Sequence, residues 1–241
     1  ARPSPELLRV IGNLAEFHRE HEKFYSQAPL RQAVALEADS RILKALAGHW
    51  REAEPQADPP ASPFAGAEDL NPPGLTAESG VLFMEGEGEP AEIARLKREL
   101  ESVASGVEEA GAWLAGAMEQ AWGVAGGLLA YPSLAGMLGE RHQIIVNDWQ
   151  AAEMQKMIGR LLRRSLELLG RVDFAPAALR ADLAGRREAV PYLFSASELI
   201  DSAADLLAAS ATLVHENERR WRAFAARLDE IRAGTGQAPS A

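Results

Sequence analysis

The stretch EIARLKRELESVASGVEEAGAWLAGAMEQAWGVAGGLLA, residues 92–130, decides the fold. Leu96, Val103, Ala110, Ala117 and Val124 recur every seven residues, and Leu100, Val107, Leu114, Ala121 and Leu128 repeat four residues behind them. This spacing puts both series on one face of an α-helix and sustains an apolar seam for about five heptads. At 1.5 Å rise per residue the helix runs roughly 55–60 Å, so only long helical partners can cover it. Its first part carries large seam residues. Beyond Val107 the seam turns to alanine, with Gly111, Gly123, Gly126 and Gly127 nearby. Small contact residues let helix axes approach closely. The helix is therefore expected to serve two sets of neighbours, a tight internal bundle over 107–170 and an inter-chain or linker contact at the 92–107 end.

Working outward, residues 5–25 open with Ser4 as a cap and Pro5 at the first helical position. Leu7, Val10, Ile11, Leu14, Phe17, Phe24 and Tyr25 share a face. A turn at 27–29 and a second helix over 30–53, with Leu36, Leu43, Leu46, Ala47 and Trp50 inward, predict an N-terminal αα-hairpin over residues 1–53. Residues 54–89 are rich in Pro, Gly and acidic side chains and read as a long irregular linker. Within it Val81, Leu82, Phe83 and Met84 form an isolated apolar plug, a candidate for binding a partner or docking on the chain's own bundle.

Downstream of Pro132, a helix is expected over 134–169. Its stripe rotates, from Leu134, Leu138, Ile145, Trp149 and Ala152 to Met154, Ile158, Leu161, Leu162 and Leu169. Pro176, Gly185 and Pro191 break the next stretch, leaving room for a short helix near 176–184. A last helix is expected over 195–232, with Leu199, Ala203, Leu207, Val214, Trp221 and Phe224 in its stripe, and a tail over 233–241. The expected fold is all-α, an antiparallel helical bundle of three long helices over 90–232, plus the N-terminal hairpin and the linker.

The chain has 241 residues, 47 % of them hydrophobic, which is enough for a large core. A net charge of −10 argues against nucleic acid and against an anionic membrane surface, both of which demand clustered basic residues. The absence of cysteine removes disulfides, cysteine-ligated metals and thiol catalysis. Residues 111–138 hold a single charge, Glu119, and are long enough to span a bilayer. Their Gly/Ala content, Gln120, Pro132 and membership of the amphipathic seam favour a buried hairpin instead. The opening ARPSPELLRV lacks the basic and apolar regions of a signal peptide, so a cytoplasmic location is expected.

Two constellations could carry chemistry. His18, His21, Glu22 and Asp39 would approach one another across the expected hairpin and are candidate metal ligands. The matching Glu-x-x-His pairs of di-metal bundles are missing, and core or interface histidines hydrogen-bonded to carboxylates and carbonyls are the favoured reading of the pattern. Arg141, His142, Asp148 and Asn217 fall on or beside apolar stripes and read as a buried polar network that sets helix register. No phosphate loop, nucleophile elbow or zinc-protease motif is present. The expected function is that of a non-catalytic accessory or scaffold subunit, working with a protein partner or as a homo-oligomer and needing no cofactor. The competing expectation is a metal-binding bundle built on His18 and His21.

Overall fold

The computed structural model describes residues 5–52, 89–129, 138–174 and 183–236, with side-chain detail chiefly over 29–51, 89–116, 139–174 and 185–224. The protein is all-helical: α1 (Pro5–Glu52), α2 (Ala91–Leu129), α3 (Leu138–Leu169) and α4 (Leu183–Gly236). No helix among the described residues is long and apolar enough to cross a membrane.

The expected N-terminal hairpin is replaced by one continuous helix, with Pro29 inside it. The physical reason is a buried seam that includes the proline. Pro29, Leu36, Leu43 and Trp50 lie seven residues apart, Ala33, Ser40 and Ala47 alternate with them, and all seven are buried. Proline removes one amide donor and crowds the carbonyl four residues back, a cost of about 3 kcal/mol. Burial of Pro29 itself and of the seam residues that follow it outweighs that cost. Pro29→Ala is therefore expected to raise stability by roughly 1–3 kcal/mol, read by urea denaturation. In a turn the same substitution would be neutral or mildly destabilising, because proline limits the unfolded chain.

The rotating stripe of α3 is also corrected. A straight seam runs along its buried face, Arg141, Ile144, Asp148, Ala151, Gln155, Ile158, Leu162, Ser165 and Leu169, at alternating steps of three and four residues, and Ile145 and Ala152 of the expected stripe are buried beside it. Four of these positions are filled by polar side chains, so counting apolar residues alone displaced the face. Trp149, expected inside, is 52 % exposed. Helix α4 begins at Leu183, well before the expected start, and takes Pro191 inside it. Ala189, Leu193, Ala196 and Ile200 are buried around that proline and continue the heptads of Ala203, Leu207, Ser210, Asn217, Trp221 and Phe224.

The chain forms two compact units, and every helix contributes to both. Unit 2 comprises Leu36–Val103 and Leu161–Asp201. Here four helical segments close a ring. Asp39 of α1 meets Arg95 of α2 at 3.3 Å, and Glu101 of α2 meets Arg163 of α3 at 3.1 Å. Ser165 of α3 donates to the Ala196 carbonyl of α4 at 3.3 Å, and Ser40 of α1 donates to the Ser197 carbonyl at 3.2 Å. The three serines are fully buried and short enough for helices to pack backbone against backbone. Lys44 clasps Glu198 at 3.1 Å and Asp201 at 2.5 Å. Ile93, Leu96, Leu100 and Val103 are buried inside this ring. The inter-chain contact expected at the 92–107 end is thus corrected: the chain's own α1, α3 and α4 cover that seam.

Unit 1 comprises Ala1–Ala35, Ala104–Arg160 and Ser202–Ala241. Leu114 of α2, Ala151 and Ala152 of α3, Trp113 and Val214 form one apolar cluster. Helices α2 and α3 pack antiparallel at close range. A Cβ on Gly111 would lie 3.3 Å from Gln155 Cβ, and one on Gly159 would lie 3.0 Å from Glu108 Cγ. The glycine at 111 therefore sets how closely the two helices approach beside the polar residues described next.

Candidate functional site

The most distinctive feature of unit 1 is a buried polar ladder between α3 and α4. Helix α3 supplies Arg141, Asp148 and Gln155, seven residues apart in its seam, and α4 supplies Ser210 and Asn217, also seven apart. Because the helices run antiparallel, each rung joins an early residue of one to a late residue of the other. Gln155 Nε2 donates to Ser210 Oγ at 2.8 Å. One layer on, Asn217 Nδ2 donates to Asp148 Oδ1 at 2.7 Å and to the Ile144 carbonyl at 2.9 Å. Asn147 Nδ2 donates to Asn217 Oδ1 at 2.8 Å, and Gln143 Nε2 donates to Asn147 Oδ1 at 2.9 Å. The Asn217 carboxamide thus uses both its donor group and its acceptor, and its geometry is over-determined.

The electrostatics follow from burial. Asp148 is 3 % exposed, and desolvation pushes its carboxyl up to about 7, against which the Asn217 hydrogen bond acts only partly. Arg141 is likewise 3 % exposed, and burial lowers its pKa. Arg141 Nη2 and Gln155 Oε1 have no hydrogen-bond partner among the described residues. At the rim, Arg220 joins Glu216 at 2.8 Å and Glu140 at 3.2 Å. Glu218, buried on α4, pairs with Arg222 and lies 3.7 Å from His215 Nδ1. A carboxyl that titrates near neutrality can exchange a proton, but here it is enclosed among side chains that bond to it. Its evident work is to fix register: a slip of α4 along α3 would leave every rung unpaired in an apolar core.

Of the residues expected in this network, the structure brings Asp148 and Asn217 into direct contact and places Arg141 in the same seam. His142 is a correction. It is exposed, because one residue past Arg141 turns the side chain about 100° off the seam. Asn147, Gln155, Ser210 and Glu218 were not anticipated. For Gln155 and Ser210 the signal was available as polar residues at heptad spacing: Arg141, Asp148 and Gln155 on one helix, and Ser210 and Asn217 on the other; Asn147 and Glu218 fall outside both series.

The candidate metal ligands fare differently. Asp39 does not face back on residues 14–18, because they share one continuous helix and lie about six turns apart. Its carboxylate accepts from Arg95, while burial and then the Glu99 charge raise it to about 6. The side chains of His18, His21 and Glu22 lie outside the described residues, as do Val81, Leu82, Phe83 and Met84. Among the described residues no group of three or more His, Asp or Glu side chains is placed to hold a metal ion.

The fold and the ladder define an antiparallel helical-bundle protein whose interior is held in register by polar layers. Comparison with protein-family models, with curated proteins and with solved structures returned no match.

Proposed function

We propose that the protein is a non-catalytic helical accessory or scaffold subunit that acts through contacts with other protein chains, in the cytoplasm. One observation carries this reading. Among the described residues the seams of all four helices are buried within the chain, yet Trp149 and Met157 of α3 each remain 52 % exposed. Isolated exposed apolar residues are ordinary, but tryptophan is the residue type most enriched at the energetic centres of protein interfaces. The ladder supports the same reading, since a bundle locked in one register presents one fixed outer surface.

A photo-crosslinking amino acid at position 149, activated in cells, tests it. The expected result is a discrete adduct with a protein chain. A chain that forms no adduct at 149, and whose Trp149→Ala variant matches wild type in every assembly assay, overturns the reading. Metal analysis tests the competing class. Stoichiometric iron, manganese or zinc that is lost in His18→Ala would replace the scaffold reading by a metal-binding one.

A further inference from the structure

The outer face of α3 in unit 1 carries Trp149, Gln150, Glu153, Lys156, Met157 and Arg160, all but Met157 and Trp149 polar and every one exposed. Residues 149, 153, 156 and 160 repeat at steps of three and four, the spacing of a second helix-packing seam opposite the buried one. Within the chain the seam is lightly committed. Glu153 and Lys156 pair with each other at 2.7 Å, and both side chains stay about half exposed, at 49 % and 48 %.

The order of chemistry along this face is self-complementary when read backwards. Starting from the N-terminal side it runs aromatic, acid, base, apolar, base. An identical helix laid against it in the opposite direction offers base and thioether to the aromatic, and base to the acid. The face also carries one acid against two bases, on a chain whose net charge is −10. It is therefore a place where two such chains approach with little of the repulsion that their overall charge imposes.

We propose that two copies of the chain associate through this face of α3, antiparallel about a two-fold axis near residues 154–155. Trp149 then seats between the partner's Met157 and the partner's Arg160, a sulfur–aromatic and a cation–π contact. Glu153 faces the partner's Lys156, and the symmetry makes every contact twice. This rests on the reading that the chain works through protein contacts, and it names the first such partner as a second copy.

Sedimentation of the full chain at concentrations up to about 100 µM tests the pairing. Wild type is expected to show a concentration-dependent monomer–dimer equilibrium. Trp149→Glu is expected to weaken it at least tenfold. Glu153→Lys and Lys156→Glu are each expected to sediment as monomers, because each sets like charges against each other across the axis. Mixed together, the two variants are expected to form a heterodimer, since both cross-axis pairs become attractive. The pair within each chain is like-charged in both variants, so it cannot produce that result. Unchanged helix content and melting temperature of each variant show that the fold is intact. Wild type that stays monomeric throughout overturns the proposal, as does a dimer indifferent to Trp149→Glu or a mixture that fails to pair. A crosslink from position 149 to a different protein would then leave the accessory reading standing while this one falls.

Discussion

Asn217→Ala is expected to destabilise the protein by about 3–5 kcal/mol, the largest loss of any single polar-to-alanine change described above. The asparagine is 2 % exposed and bonds Asn147, Asp148 and the Ile144 carbonyl at 2.7–2.9 Å. Removing it takes a bond from each of three buried partners at once. An unsatisfied buried polar group costs about 1–3 kcal/mol, more when charged. Urea denaturation followed by helical circular dichroism measures the loss. The counterpart is informative. Replacing Asn147, Asp148 and Asn217 together by leucine removes the buried side-chain groups that the single change strands. Gln143 is exposed to water and the Ile144 carbonyl keeps its place in the helix, so the triple change is expected to restore most of the stability. A triple variant as unstable as Asn217→Ala would show that the ladder contributes net stability, not only register.

Asp148→Asn is expected to stabilise the protein, by about 2–4 kcal/mol at pH 8 and by almost nothing at pH 4. The carboxyl's ordinary value is 3.8, and in the folded chain burial raises it to about 7. Below pH 3.8 it is protonated in both states and contributes no pH dependence. As pH rises from there towards 7, the unfolded chain releases the proton while the folded chain keeps it, so stability falls across that window and levels off above it. Asparagine keeps an oxygen for the Asn217 donor and carries no charge, so it escapes this penalty. Thermal melts of both proteins across pH 4 to 8 measure the difference. Parallel curves, with the same gap at both ends, would show that Asp148 is ionised without penalty in the folded chain.

These predictions depend on residues whose placement was only half legible. Asp148 and Asn217 stood out because each is polar within an apolar stripe. Gln155 and Ser210 did not, since uncharged polar residues are common on helix surfaces and become informative only once the straight seam is known. His142 was misplaced through adjacency to Arg141, although neighbouring residues on a helix face different directions. The metal constellation depended on a hairpin at residues 27–29. Once α1 is continuous, Asp39 belongs with Arg95 and not with the histidines.

What the sequence alone determined is the helical class, the length of α2 and the identity of its seam from Leu96 to Leu114. Leu96, Leu100, Val103, Val107, Ala110 and Leu114 were all picked out in advance and all are buried, because heptad spacing is a local property that any long helix must honour. What only the tertiary structure decided is where helices continue through proline and which face of α3 turns inward. Pro29 and Pro191 lie inside helices because burial of neighbouring seam residues exceeds the cost of one missing hydrogen bond. Asp148 and Gln155 point inward because α4 offers them partners, and Trp149 points outward because it lies one position past that seam. Both outcomes are set by contacts between residues far apart in the chain, which no local pattern records.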